Sequence, residues 1–342
     1  MRHVNIPIFI PHLGCPNQCV FCNQRSISGV DSFKADDVTC IIDNALSTIE
    51  SDAEVEIAFF GGSFTGIDRN LMISLLEIGH SYILKGRVHS LRCSTRPDYI
   101  NEEIISILKK YGVKTVELGL QSSSDKVLSI TKRGHNFEAE KQGCKLIVDS
   151  GINLVGQMMI GLPMSDLASE IECAKFIIDS GAFGARIYPT VVFRDTELYD
   201  MSINGSYKPL TVDEAVKRSA KILDLFVEHG VEVIRIGLQS GDGLSDTNKY
   251  YSGPNHPALG ELVISELYYN RIQKFIEENI SSKEKSIIIY IPRGAMSKAV
   301  GQNKRNKNRL LKSFNSVRFV ESDKLKEYSV LVETYNGENK CT

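Results

Sequence analysis

The sequence predicts an α/β chain in three parts: a partial parallel (β/α)6-type barrel over 1–240, a loop and packing helix over 241–283, and a small α+β segment over 284–342. Three observations predict it. Apolar strand-like runs alternate six times with helix-like stretches and close on a further strand, the pattern of a parallel sheet built from right-handed βαβ units. Residues suited to binding follow the strand-like runs, where such barrels carry their chemistry. Near the C-terminal end the order changes to strand, helix, loop, helix, strand, strand, and the charge turns basic.

The elements follow in order. "NIPIFIP" leads to a helix over about 36–50, "VEIAFF" to one over 68–84, and "VHSLRCS" to one over 101–110. "TVELGL" precedes helical stretches near 124–130 and 137–149; "NLVGQMMI" precedes 167–180; "ARIYPTVV" precedes 211–229; "VEVIRIGL" closes the series. Residues 241–260, "GDGLSDTNKYYSGPNHPALG", read as a long loop. It is either a linker or a functional loop; folded over the barrel mouth, it would bring His256, Tyr250 and Tyr251 to a substrate. The helix "LGELVISELYYNRIQKFIEEN" has apolar residues at helical spacing and is expected to pack on the barrel.

Composition narrows the class. The chain has 342 residues, a net charge of −2 and eight cysteines. No apolar stretch approaches the roughly 20 residues that span a bilayer, and the start is a poor signal peptide, so a cytoplasmic location is expected. Cysteines in such a chain do not read as a disulfide framework. Cys40, Cys93, Cys144, Cys173 and Cys341 are scattered and read as small packed residues.

The remaining three cluster. "HLGCPNQCVFCNQRSISG" places Cys15, Cys19 and Cys22 directly after the first apolar run. Packing is one reading. Structural zinc is a second, but zinc usually takes four protein ligands; no second pair follows, and His12 is the one nearby candidate. A 4Fe–4S cluster is the third: three thiolates hold three irons and leave the fourth open.

C-x3-C-x2-C is the signature of the radical S-adenosylmethionine superfamily, and this stretch resembles it, with Phe21 at the position before the last cysteine. The resemblance implies that Cys15, Cys19 and Cys22 are the metal ligands, that the open iron takes S-adenosylmethionine, and that the cofactors generate a 5′-deoxyadenosyl radical while the protein positions and shields them. It implies an electron donor such as ferredoxin or flavodoxin. Other strand ends agree. Gly61 and Gly62 in "FFGGSFTG" allow close backbone approach. Ser94 and Arg96 stand in "CSTRPD", where Arg96 can pair with a carboxylate. Glu117 and Gln121 share one face of their strand. "GLP" after the fifth strand is turn chemistry or a pocket wall. Arg186, among apolar neighbours, needs an anion or carboxylate.

"GGSFTG", "STRPDYI", "VELGLQS", "RGH", "MMIGLP" and "IYPTVV…TELY…YKP", in this order, resemble the radical domain of the Elongator catalytic subunit family over roughly residues 5–240. That family starts a carboxymethyl-type modification of wobble uridine in tRNA. By matching position, Gly61, Gly62, Ser94, Arg96, Gln121 and Arg186 become candidates for the S-adenosylmethionine pocket, and tRNA becomes the expected substrate. The chain departs from the family in "GLPM" for "GLPG", in Arg186 for the common Lys, and in lacking an acetyltransferase domain after residue 240. A tetrapyrrole-related oxidase of the same superfamily stays open, as does a cluster- or RNA-binding protein without turnover.

From Lys285 to Arg318 every charged residue is basic. The run lies on "SIIIYIP", "GAMSKAV", "GQNK", "RNKNRLLKSF", "SVRFVES" and "EYSVLVET", an order that resembles a KH domain, whose helix–loop–helix clamps single-stranded RNA. Gly301 matches the first glycine of the G-x-x-G loop, and Lys304 replaces the second. Gly301, Lys304, Arg305 and Lys307 are the candidate RNA contacts, since a basic loop can grip phosphates.

Overall fold

The computed structural model describes residues 3–10, 15, 19–22, 33–238, 248–281 and 286–335. His12, Lys285, Cys341 and positions 241–247 of the long loop lie outside the described residues.

The first compact unit comprises residues 1–211 and 226–255. Its strands are β1 (His3–Ile10), β2 (Glu54–Gly61), β3 (Ser90–Thr95), β4 (Val113–Gln121), β5 (Asn153–Ile160), β6 (Gly184–Pro189), β7 (Val192–Phe193), β8 (Glu232–Ile236) and β9 (Tyr250–Ser252). Its helices are α1 (Asp37–Thr48), α2 (Arg69–Leu84), α3 (Glu102–Lys110), α4 (Asp125–Ile130), α5 (Phe137–Asp149), α6 (Leu167–Asp179) and α7 (Glu197–Ile203); α8 (Val212–Glu228) straddles the division between units.

Seven strands form one parallel sheet in the order β1-β2-β3-β4-β5-β6-β8. The sheet is curled, as in a partial radical-type barrel. Its outer face carries the expected core, with Ile57, Leu91, Val116 and Leu154 buried together with Leu75, Leu108, Ile147 and Ile177 of the helices. Local signals set the helix ends. Asn101 accepts a hydrogen bond from the Ile104 amide at 2.9 Å, Glu102 and Glu103 stand in the first turn of α3, and Lys109 and Lys110 in its last, each favourable to the helix dipole. Asp166 and Ser169 make a reciprocal capping box on α6.

One expected strand divides. "ARIYPTVV" does not run as a single strand: β6 ends at Pro189, and β7 pairs antiparallel with β9. The end of β6 is fixed by the Thr190 amide, which donates to the Ile160 carbonyl at 2.8 Å. Gly253, at φ +110, passes within contact of the Thr190 carbonyl, where a Cβ would sit at 3.0 Å. The later part of the long loop is therefore built onto the barrel chain through β9, while α7 occupies a stretch for which no helix is expected.

The second unit comprises residues 212–225 and 256–342. It holds α9 (Leu259–Asn279), β10 (Ser286–Pro292), α10 (Met296–Val300), α11 (Arg305–Leu310), β11 (Ser316–Ser322) and β12 (Leu331–Thr334). The sheet order is β11-β10-β12, parallel on one side of β10 and antiparallel on the other. This is a small α+β region in the expected element order. The long helix expected to serve the barrel contributes Tyr268 and Ile272 to the core of this sheet, beside Ile287, Ile289, Ile291 and Leu310.

Candidate functional site

Charge fills the floor of the curled sheet. Alternation along β2, β3, β4 and β6 turns Glu56, Arg92, Glu117 and Arg186 to the concave side. Arg92 Nε donates to Glu56 Oε2 at 2.9 Å and its Nη1 to Glu117 Oε1 at 3.0 Å. Arg186 Nη2 donates to Glu117 Oε1 at 2.8 Å, its Nε lies 2.7 Å from Oε2, and Gln157 Nε2 donates to the same oxygen at 2.8 Å. Glu117 is fully buried. Burial works against the Glu56 carboxylate, but Ser90, Arg92 and His3 hold its carboxyl below the usual range. The partner that Arg186 requires is thus Glu117, with Tyr188 Oη at 3.4 Å and the Phe60 ring 5.6 Å away.

Above this floor stand the strand ends. Gly61 has φ +116, and a Cβ there would lie 2.6 Å from the Ile10 carbonyl; only glycine fits so close to β1. The Gly62 amide donates to that carbonyl at 2.9 Å. Ser94 is half-buried beside Glu117 in register. Gln121 ends β4 at φ 75, past a register shift, and its buried Oε1 has no hydrogen-bond partner among the described residues. A non-glycine residue held at positive φ with an unsatisfied acceptor is costly, and such strain gathers at binding sites.

Hydroxyl groups join the β2 and β3 ends. Ser63 Oγ and Thr95 Oγ1 are 3.0 Å apart, Thr65 Oγ1 is 2.6 Å from Thr95 Oγ1, and the Arg96 amide donates to Ser63 Oγ at 3.0 Å. The Arg96 side chain is 4% exposed and grips Asp98 through Nε and Nη2, both at 2.9 Å.

The cysteines follow β1. Cys19 is buried, Cys22 half-buried and Cys15 exposed. Arg133 Nη1 donates to Cys19 Sγ at 3.1 Å, and Nη2 donates to the Gly119 carbonyl. Partial desolvation pushes the Cys15 thiol up; a backbone hydrogen bond at Ser63 opposes it, neighbouring Cys19 adds to it, and Arg96 and Arg133 oppose it. The Val20 amide donates to the Thr131 carbonyl at 3.2 Å and the Leu198 amide to Val20 at 2.8 Å. Val20 packs with Val192, Leu198 and Tyr207, and Phe21 and Tyr251 adjoin them. Among the described residues no group of three or more His, Cys, Asp or Glu side chains is gathered around a metal position. The donor types nevertheless fit an iron–sulfur cluster: three soft thiols, with Arg133 on Cys19 and with Arg96 and Arg133 acting on Cys15 in the direction that favours thiolate.

The candidate residues divide into two groups. Gly61, Gly62, Ser94, Arg96, Gln121 and Arg186 all stand in the barrel unit, with Arg96 and Arg186 already holding protein carboxylates. Tyr251 adjoins the cysteine loop, whereas the His256 imidazole accepts from the Ala258 amide at 3.1 Å, closing a local turn.

In the second unit Gly301 is buried at φ +81, and a Cβ there would meet Ser265 Oγ at 2.9 Å. Lys304, exposed at φ 60, and Arg305 present the loop; Arg305 Nη2 pairs with Asp213 at 2.6 Å, and Lys307 is half-buried.

Sequence reasoning missed Ser63, Thr65, Asp98, Arg133, His135 and Glu140. Arg133 and His135 belong to the "RGH" segment, which carried no chemical reading. Glu140 had a signal: with Gly143, Cys144 and Ile147 it makes the i, i+3, i+4, i+7 stripe that α5 buries.

Comparisons agree with this geometry. The Radical SAM superfamily model matches residues 9–177 and the Radical_SAM C-terminal domain model matches 183–269. A tRNA uridine(34) acetyltransferase of Methanocaldococcus jannaschii is 33% identical over 158 residues, 45% of this chain and 29% of that protein. Mouse Elongator complex protein 3 is 35% identical over 192 residues, 50% of this chain and 35% of that protein. The matched part therefore spans about a third of these relatives. The fold is similar to that of Methanocaldococcus infernus Elp3 with an N-terminal deletion, at TM-score 0.62 and 22% identity over 81% of this chain and 63% of that one.

Proposed function

Proceeding from a chain that carries a radical SAM superfamily domain and is homologous to Elongator complex protein 3, we propose that it is a radical S-adenosylmethionine enzyme that modifies a uridine-type base of tRNA. Cys15, Cys19 and Cys22 would hold the 4Fe–4S cluster. Bound there, the cluster together with S-adenosylmethionine would supply one-electron radical chemistry. The chain's own residues bind and shield. Arg133 orients Cys19. Gly61 and Gly62 let the β2 end approach the cofactor, and Ser94 and Gln121 offer polar contacts along the concave face. The buried Gln121 Oε1, without a hydrogen-bond partner among the described residues, is the observation that carries the pocket reading. Arg186 is assigned to the floor through Glu117, and Arg96 to the cation that faces the cysteines.

The charge balance of the floor favours a neutral base over a tetrapyrrole. Arg92 is committed to Glu56 and Glu117, and Arg186 to Glu117, so neither is free for the carboxylates of a porphyrinogen. The basic loop supports an RNA substrate: Lys304, Arg305 and Lys307 would neutralise phosphates, and Gly301 would fix the turn that presents them.

Anaerobically prepared protein is expected to carry about four irons per chain, to lose them when the three cysteines become Ala, and to keep them in Cys40→Ala, Cys144→Ala and Cys173→Ala. Reduced protein with S-adenosylmethionine should release 5′-deoxyadenosine. Mass spectrometry of tRNA nucleosides from cells lacking the protein should show a missing modified uridine. Bound zinc without iron overturns the cluster. Absence of salt-sensitive tRNA binding, or wild-type binding by Lys304→Glu with Arg305→Glu, overturns the RNA reading.

A further inference from the structure

Beside the cysteine loop lies a chain of four side chains, of which the partly exposed Asp98 and the buried His135 and Glu140 serve in no step above. Arg96 holds Asp98 with two hydrogen bonds. His135, whose side chain is fully buried, puts Nδ1 3.5 Å from Asp98 Oδ1 and 3.4 Å from Arg96 Nη2. Its Nε2 is 3.1 Å from Glu140 Oε1, and the Glu140 side chain is also fully buried. Glu140 Oε2 has no hydrogen-bond partner among the described residues. Burying a carboxylate against an imidazole, as Glu140 and His135 are, is expensive unless the arrangement is fixed by its partners.

The backbone is shaped for this contact. Asp98 sits in a one-turn 3-10 segment, Pro97–Tyr99. Gly143, one turn after Glu140 on the same face of α5, packs on that segment; a Cβ there would lie 2.9 Å from the Pro97 carbonyl. The glycine lets α5 come close enough for His135, already held by Glu140 five residues on, to reach Asp98. At the other end, Ser63 holds the Arg96 amide, so Arg96 is fixed through both its backbone and its guanidinium.

We propose that His135 is a positioning residue that, braced by Glu140, holds Asp98 and through it sets the place of the Arg96 guanidinium before the cysteine site. The inference deepens the radical-enzyme reading and rests on it for its consequence, the binding of a carboxylate-bearing cofactor. The bracing itself is a property of the chain without cofactor. Other charged or titratable groups near Glu140 are Asp125 of α4, Arg133, and Cys144 and Cys173 of α5 and α6.

Two measurements test it. In cluster-free full-length protein with labelled arginine, the Arg96 Nε–H resonance should exchange slowly with solvent, and His135→Asn should speed that exchange about tenfold or more, the scale of losing a charge-assisted hydrogen bond. The melting temperature serves as the control for a general loss of structure. Should His135→Asn not fold, Glu140→Gln reads the same resonance at pH 8, above the value of about 7 to which burial pushes Glu140, and should speed exchange at least about threefold, since it removes the bracing charge. Unchanged exchange in the folded variant overturns the proposal. In iron-loaded protein, equilibrium dialysis should show S-adenosylmethionine bound about tenfold more weakly by His135→Asn with iron content retained; wild-type affinity in that variant overturns the proposed link to the cofactor. Iron-loaded wild type that binds no S-adenosylmethionine defeats the enzyme reading instead, and the resonance still decides the bracing.

Discussion

Arginine plays opposite parts in the barrel floor and at the exposed positions of the second unit. In the barrel, Arg92 and Arg186 have side chains only 7% and 11% exposed, and each forks onto carboxylates that are themselves buried. In the C-terminal unit, Arg305 and Asp213 pair while 43% and 48% exposed, and Arg293 and Asp323 while 81% and 78% exposed. The same residue type is committed in one place and available in the other. A buried pair is costly to break because the survivor is left charged and dry. An exposed pair gains little, because water and salt screen both members. The barrel's charges therefore organise the fold, while those of the basic loop remain free to be exchanged for a ligand's.

The largest expected effect tests the buried side. Glu117→Gln strips the charge shared by Arg92 and Arg186 and should cost about 3–5 kcal/mol in urea unfolding. A cost below about 1 kcal/mol, the range of an exposed pair, would break the comparison.

Glu140 gives a pH signature. Burial pushes its carboxyl up to about 7 from an ordinary 4.5, with His135 and Arg133 pulling the other way. Folding then favours the protonated form. The contribution is fully present below the unfolded value and is lost as pH rises through the folded one. Glu140→Gln should match wild type near pH 4 and be more stable by about 3 kcal/mol at pH 8. Equal stability at both pH values removes Glu140 from the titrating groups.

Met164 offers a smaller test. It is exposed and sits at φ 64, a conformation that suits glycine. This gives a backbone reason for the glycine of "GLPG", and Met164→Gly should raise stability by about 0.5–1 kcal/mol in thermal melts. The smallest effect sharpens the exposed side. Arg305→Ala should change stability by less than about 0.5 kcal/mol, while reducing the salt dependence of tRNA binding by roughly one counterion. A stability cost like that of Glu117→Gln would mean that the loop arginine is structural.

Much of this was legible beforehand because the signals are local. The spacing of Cys15, Cys19 and Cys22, the alternation of apolar strands with capped helices, and Gly61–Gly62 at a strand end are each contained in a few residues. In the structure the helix ends are set by nearby caps such as Asn101 and Asp166. The short pairing of β7 with β9 was hidden because its partners are nearly sixty residues apart. The burial of Glu140 was readable from its helical stripe, and its partner His135 is only five residues away; what the sequence hid is that Gly143 lets α5 close on the Pro97 turn, which brings His135 to Asp98.

The sequence by itself determined the periodicity, the ligand-type residues and the order of elements, because these depend on neighbours along the chain. The tertiary structure decided which charges meet. Arg186 could be known to need an anion, since a buried guanidinium cannot stand alone, yet that the anion is Glu117, 69 residues away, follows only from strand order and register in the parallel sheet. Likewise Gly301 had a motif in sequence, but its buried contact with Ser265 depends on how α9 packs against the α10–α11 turn. Backbone pattern is written locally; the pairing of side chains across strands is settled by the geometry that brings distant residues within a few ångströms.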